Sequence, residues 1–372
     1  MVFNTRTLSA PQSGVQRYAR ELDHRFDQSI SRIAPAKLAQ GIGGHFWEQF
    51  ILPFLCRGRL LFSPGNTGPW FYRQQVVTIH DASTFDCADA FTGIFGRWYR
   101  WLLPRLARRA LGVITVSNFS RDRLVATLGV PADKIAVVYN GVTPPPAIPG
   151  PDILEEARTR LSLPRRFLLF VGSRDPRKNV DRLVAAFGQL DEPELHLVLA
   201  GGSNQQLFNA QHSGKTTTRV RTLGQVDEVT LECLYHLAEG FAFPSLYEGF
   251  GLPPLEAMAR GCPVLCSDAT CLPEVCGPAF EAGGACLYFS PHQVASIADA
   301  LRRFAALPAE ARKRMTEAGR RQASRYDWDR CAQETAAALL RFRPSVPRLH
   351  PRPAPVVETP QHVLKKTAPN SR

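Results

Sequence analysis

Short apolar runs alternate along this chain with stretches of helical period, and the alternation occurs twice. In the first half, Val76–His80, Gly112–Val116 and Lys134–Tyr139 are β-branched runs that predict strands. Between the first two, residues 95–111 have helical spacing, and Pro104 is expected to kink or divide that helix. Ser117 or Asn118 can cap the helix that follows Val116. In the second half, 167–171, 195–199, 241–243 and 263–266 predict strands. Helices fit 179–190, 229–238, 253–260, 293–307, 309–325 and 328–340. Strands separated by helices imply an α/β fold with parallel sheets. The Pro- and Gly-rich stretch Pro144–Pro151 separates the two series. The resulting division is a first domain over 1–147 and a second over 148–342 that includes the final helix. Residues 343–372 have repeated prolines and few large apolar side chains, and they read as a disordered basic tail.

At 372 residues the chain is long enough for two cores. It has no run of about twenty apolar residues, so no spanning helix is expected. The opening Met1–Arg6 lacks the basic-then-apolar order of a secretion signal. Nine cysteines without a CxxC pair read as free thiols in a reducing cytoplasm. The net charge of +12 is uneven: residues 1–150 carry 17 basic and 9 acidic side chains, and 343–372 carry 6 and 1. A basic first half suits an anionic partner, whether lipid headgroup, lipid diphosphate or nucleic acid, and charge alone does not choose among them.

The candidate chemistry centres on Glu248-Gly-Phe-Gly-Leu-Pro-Pro-Leu-Glu256. The apolar run 241–243 ends in a loop that holds Glu248, and Pro253 and Pro254 suit the first turn of a helix. Glu256 then falls one turn inside that helix, which Gly261 stops. Gly249 and Gly251 allow close backbone approach, and amides at a helix start favour an anion. Carboxylates for sugar hydroxyls beside amides for phosphate suit a polyhydroxylated, phosphorylated ligand. The alternative is two solvated glutamates.

The full string Pro244–Ala259 resembles the E-x7-E signature of retaining, nucleotide-sugar-dependent glycosyltransferases of the GT-B fold, in glycosyltransferase family 4. The resemblance runs from about residue 3 to 340 and is strongest over 165–275. It implies two Rossmann-like domains with parallel sheets facing each other across a cleft. The second would bind the nucleotide sugar and the first the acceptor, with the last helix packing back towards the first. Glu248 would grip the donor sugar and Glu256 the ribose, with Phe250, Gly251 and Leu252 in the donor-binding turn.

Phe170–Asp181 reads as a strand, a glycine loop and a helix, with Arg177 and Lys178 just before the helix start. It resembles the family segment whose basic residues hold the donor diphosphate. Two cations there would stabilise a departing diphosphate. Ser173 stands where some members have arginine, which leaves the role of Arg174 open. By the same resemblance Val226, and less securely Asp227, would meet the nucleotide base; Asp227 could equally be a helix N-cap. Gly14 would let the backbone approach the donor phosphate. His80 and Asp81 match a strand end near the transferred sugar, although a histidine there can also be merely packed.

The reading is therefore a retaining hexosyltransferase that moves a sugar from a nucleotide diphosphosugar to a hydroxyl acceptor. Mannose from GDP-mannose is the donor suggested by resemblance to bacterial polysaccharide mannosyltransferases. A lipid-linked oligosaccharide in cell-surface or exopolysaccharide synthesis is the acceptor. No cofactor and no metal are expected, since no D-x-D stands at a predicted strand end and no His/Asp/Glu cluster has metal-ligand spacing. A GT-B phosphorylase and a non-enzymatic nucleic-acid-binding protein are the alternatives; the first reading expects no nucleic acid. The cationic, aromatic stretch Arg97–Arg109 suggests a cytoplasmic protein in peripheral contact with an anionic membrane, against the alternative of an ordinary helix with a basic face.

Overall fold

A computed structural model describes residues 1–10, 13–35, 41–91, 93–145, 148–173, 175–202 and 218–343. Arg174 and the expected tail beyond Arg343 lie outside them. The first series comprises β1 (Val2–Asn4), α1 (Gly14–Arg25), β2 (Ser31–Ile33), α2 (Gly41–Phe46), α3 (Leu52–Cys56), β3 (Leu61–Ser63) and β4 (Gln75–Thr78). It continues with α4 (Ser83–Asp86), α5 (Gly93–Arg109), β5 (Gly112–Thr115), α6 (Asn118–Leu128) and β6 (Ile135–Val137). A π-helical turn, Trp47–Ile51, joins α2 to α3.

The second series opens with α7 (Pro151–Arg160), β7 (Arg166–Val171), α8 (Val180–Phe187), β8 (Leu195–Ala200), β9 (Val220–Gly224), α9 (Glu228–Leu237) and β10 (Gly240–Phe243). It closes with α10 (Leu252–Ala259), β11 (Val264–Ser267), α11 (Leu272–Cys276), β12 (Cys286–Phe289), α12 (Val294–Ala305), α13 (Ala309–Ala323) and α14 (Trp328–Arg341).

The described strands form two six-stranded sheets with parallel pairings, in the orders β2-β1-β3-β4-β5-β6 and β12-β11-β10-β7-β8-β9. Strand order reverses between β1 and β3 in one sheet and between β7 and β10 in the other. In open parallel sheets such reversals leave a crevice at the carboxyl ends of the strands, where ligands bind.

The expected strands and helices of the second half form within about three residues of their predicted ends, the largest difference being α8, which stops at Phe187. β1, β2 and β3 escape the pattern because three residues show no period. The expected kink or division at Pro104 does not occur as a break: α5 runs unbroken through it. Leu102, Leu103, Leu106 and Ala107 bury both sides of the proline in one core, and that packing outweighs the lost hydrogen bond. α14, though last in sequence, completes the first sheet's core. Trp328, Cys331 and Leu339 pack with Phe3, Tyr18 and Phe62. All nine cysteines are free thiols.

Candidate active site

The crevice between β7 and β10 brings two loops together. After β7, the Asp175 carboxylate accepts from the Arg177 N–H at 2.9 Å and caps a single turn, Pro176–Lys178, ahead of α8. After β10, the chain loops through Glu248 to α10. The Arg177 carbonyl accepts from the Leu246 N–H (2.7 Å) and the Ser245 hydroxyl (3.1 Å), which fixes one loop on the other. Lys178 Nζ then donates to Glu248 Oε1 at 2.6 Å, and the Ser245 hydroxyl donates to the same oxygen at 2.6 Å. The Glu248 N–H donates to Thr270 Oγ1 at 3.3 Å. A carboxylate and an ammonium, both half-buried, therefore share one crevice, though 70 residues apart in sequence.

The Arg177 guanidinium forks onto Asp175 and lies over the Phe91 ring, 5.2 Å from its centroid. Burial raises the Asp175 pKa, but the bonds from Arg177 outweigh it and hold the carboxyl below its ordinary value.

Glu256 sits on the first turns of α10, as the spacing predicts, and is buried. Arg17 of α1 pairs with Glu256 Oε1 and reaches Thr143 Oγ1 at 2.8 Å, while the Tyr235 hydroxyl donates to Oε2 at 3.2 Å. Gly14, at the start of α1, faces Leu252 at the start of α10: a Cβ on Gly14 would lie 3.6 Å from Leu252 Cδ1. The two helix starts thus oppose each other across the cleft. Gly251 caps α10 at φ 93°, a conformation that favours glycine. Pro253 and Pro254 fix the start of α10 but remove two amides, leaving Leu252 the N–H donor among its first three residues. The Phe250 side chain is buried against Tyr139 and Tyr326, so only its backbone faces the turn.

His80 follows β4 and is buried. Its Nε2 lies 3.0 Å from the Pro64 carbonyl, its ring meets Tyr18 edge-on, and its N–H donates to Asn66 Oδ1 at 2.8 Å. Burial depresses the His80 pKa, more than the Pro64 carbonyl and Asp81 raise it. This is the packed arrangement that the sequence left as an alternative. Asp81 accepts from the Ser83 N–H at 2.8 Å and abuts Gly249. A Cβ on Gly249 would come within 2.9 Å of both Asp81 Cβ and the His80 carbonyl oxygen, so only glycine lets this loop close onto the first domain. The Gly249 carbonyl accepts from the Ser117 and Ser120 hydroxyls at 2.7 and 3.2 Å.

Asp227 is exposed and caps α9 through the Thr230 N–H at 2.6 Å, while Val226 packs partly buried against the second core. Among the described residues, no hydrogen bond or ion pair ties these two to the Lys178–Glu248 pair. A groove lined by Met1, Phe26, Leu60 and Leu339 opens at the opposite, N-terminal ends of β1 and β3 and holds none of these residues.

Three contributors carry no obvious sequence signal. Arg17 holds Glu256 from 239 residues away. Thr270 has φ 59°, unusual for a β-branched residue, beside the Glu248 amide. Glu274 of α11 accepts from the Asn118 and Phe119 N–H groups, at 2.7 and 3.0 Å, and from the Tyr139 hydroxyl at 2.7 Å. It caps α6 from the other domain and complements the positive end of that helix.

Comparison with known proteins places this geometry. The family model described as Glycosyl transferases group 1 matches residues 154–322, and that described as Glycosyltransferase Family 4 matches 62–144. The O-antigen chain mannosyltransferase B of Escherichia coli is 28% identical, over 91% of this chain and 98% of its own. The O-antigen chain mannosyltransferase RfbU of Salmonella typhimurium is 29% identical, over 70% of this chain and 68% of its own. Among solved structures, sucrose-phosphate synthase from Thermosynechococcus elongatus superposes with a TM-score of 0.73 at 21% identity, covering 92% of this chain and 98% of its own. Anabaena HepE in complex with UDP and glucose gives 0.71 at 18%, covering 91% and 98%. The chain is a glycosyltransferase of family 4 with the GT-B fold.

Proposed function

We propose that the protein is a retaining hexosyltransferase that moves mannose from GDP-mannose to a hydroxyl of a lipid-linked oligosaccharide during cell-surface polysaccharide synthesis. The observation that carries the reading is the Lys178–Glu248 pair at the β7/β10 crevice, a cation for phosphate and a carboxylate for sugar hydroxyls in direct contact. The mannosyltransferase names of the E. coli and Salmonella relatives support the donor. The UDP and glucose in Anabaena HepE support a nucleotide sugar more generally.

In this reading Arg177 and Lys178 neutralise the donor diphosphate, Glu248 holds sugar hydroxyls and Glu256 the ribose. Val226 and Asp227 meet the base, and Gly14 admits the diphosphate beside Leu252. None of the residues gathered here is placed as a nucleophile, so a front-face displacement is favoured. The bond from the anomeric carbon to the phosphate oxygen breaks as the acceptor oxygen bonds to the same face. The acceptor proton passes to the departing phosphate oxygen. The carboxylate of Asp81 and the His80–Asp81 backbone border the sugar side; His80, tied to Pro64, acts by position.

Neutralisation by side chains predicts that transfer survives EDTA, and a loss restored by magnesium or manganese would overturn that part. A cytoplasmic enzyme at the inner membrane face fits both a cytosolic donor and a lipid-linked acceptor. No described helix is long and apolar enough to cross a membrane.

Thermal-shift titration with GDP, UDP, ADP and their sugars tests the donor, because ligand binding raises apparent stability. GDP-mannose should give the largest shift, and NMR of the product should show retained anomeric configuration. A larger shift with UDP-glucose would replace the donor, and inversion would overturn the front-face mechanism. Release of sugar phosphate in place of nucleotide would indicate a phosphorylase.

A further inference from the structure

We propose that residues 41–56, together with the start of α5, form a face that docks on an anionic phospholipid bilayer. The proposal deepens the lipid-linked acceptor reading, but the face itself rests on exposure and charge. Ile42, Phe46, Phe50 and Phe54 follow one another at four-residue intervals and are 88%, 58%, 53% and 77% exposed. The π-helical turn keeps that spacing on one side, and the Phe46 and Phe50 rings meet at 4.9 Å. The inner side of the same segment, with Trp47, Leu52 and Cys56, is buried in its own core. The outer apolar side is therefore not needed to hold the segment in place. The His45 ring contacts Trp98 and Tyr99 of α5, which joins this face to exposed Ile94 and Phe95. Exposed apolar side chains grouped in this way mark an interaction surface.

The surrounding charge selects the partner. From residue 28 to 80 the single acid is Glu48, which is buried and paired with Arg6, and residues 90–121 contain none. Arg57, Arg59, Arg73, Arg97 and Arg105 are exposed in the same segments. Asp89, in the intervening segment, is an exposed acid, but these five arginines outnumber it, and apolar side chains in a mainly cationic frame suit acyl chains below anionic headgroups. A two-fold contact with a second copy would set these cations against each other. The α5 arginines supply the rim rather than the anchor: Arg105 lies over Trp101 and Arg109 over Trp70.

The face also adjoins the cleft. Glu48 accepts from Asn4 at the end of β1 and from Thr67 just past β3, on the sheet edge that carries His80. A row of rings, Phe91, Phe95 and Tyr99, stacks at 5.9 and 4.3 Å and leads from Arg177 to His45. A lipid-anchored acceptor held at this face would present its sugar towards Lys178 and Glu248.

Flotation of the full chain with phosphatidylcholine vesicles, with and without phosphatidylglycerol, tests the proposal. The protein should float with the mixed vesicles and far less with the neutral ones. Combined Phe46→Ser, Phe50→Ser and Phe54→Ser should cut binding by about tenfold or more. The nucleotide-induced thermal shift and transfer to a water-soluble acceptor should persist in that variant. If the triple variant misfolds, Phe54→Asp alone, at an outward position, should also lower binding to the anionic vesicles. Unchanged binding by a folded variant, or no binding by the wild type, would overturn the proposal. So would a wild-type dimer in light scattering that the triple variant converts to monomer, which would make the face a self-interface. Failure to bind any nucleotide, with vesicle binding intact, would count against the transferase reading and leave the face standing.

Discussion

The two strand-order reversals of this molecule have the same geometry and opposite contents. At β1/β3, Glu48 fills the crevice from within. It is 1% exposed, accepts from Asn4, Arg6 and Thr67, and leaves little for a ligand to bind. At β7/β10, the Glu248 carboxylate accepts from Lys178 and Ser245, Lys178 Nζ also lies 5.2 Å from the Phe243 ring centroid, and both side chains remain partly exposed. A reversal in a parallel sheet therefore offers a place for a site, and side-chain chemistry decides whether it is structural or available. In the proposed reading, one domain uses its crevice for stability and the other keeps it for a ligand.

Substituting each crevice separates these roles. Glu48→Ala should have the largest effect, because it removes the buried carboxylate shared by Asn4, Thr67 and the partly buried Arg6. Such losses cost roughly 3–5 kcal/mol, enough to lower the urea midpoint markedly. Nucleotide affinity of the remaining folded protein should hardly change. If urea unfolding were unaltered but donor binding lost, the two crevices would have been assigned the wrong way round.

Glu248→Gln should do the opposite. Its melting temperature should stay near wild type while turnover falls by about a hundredfold, the usual scale for a lost electrostatic contact to a reacting group. Glu256→Gln should chiefly raise the donor KM, by about tenfold for one charged hydrogen bond. Near wild-type kinetics in both would remove the carboxylates from the donor site.

A smaller effect is expected of Lys178→Ala, which should weaken a nucleoside diphosphate by about tenfold and the monophosphate much less. Calorimetric titration of both nucleotides reads this directly. Equal losses would place Lys178 away from the distal phosphate.

His80 should give the smallest effect, and it concerns pH. Its folded pKa is depressed by burial, so the unfolded chain binds the extra proton first. The stability tied to neutral His80 is complete above the ordinary value of 6.5 and declines as pH falls below it. Melting temperature measured from pH 7.5 to 5 should drop, and His80→Gln should flatten that slope. An unchanged slope would mean that the ring is solvated.

Much of the second half was legible because its information is local. The loop position of Glu248, the helical place of Glu256 and the turn that ends on Lys178 each follow from residues within about one strand and one helix of each other. Division of the helix at Pro104, one of the two outcomes expected, does not occur, since helix propensity is a local quantity and the buried face of α5 is not. The same reading left Asp227 between two roles, and the structure shows the capping one.

By itself, then, the sequence determined two series of parallel strands and helices and the identity of the paired carboxylates and cations. Those follow from hydrophobic period, proline and glycine placement, and the repeated chemistry of a short string. Only the tertiary structure decided that Arg17 reaches Glu256, that Glu274 caps α6, and that Phe46, Phe50 and Phe54 stay outside. Each of these depends on groups far apart in the chain, or on which face of a segment finds a partner. Neither is encoded in the spacing of neighbours along one strand or helix.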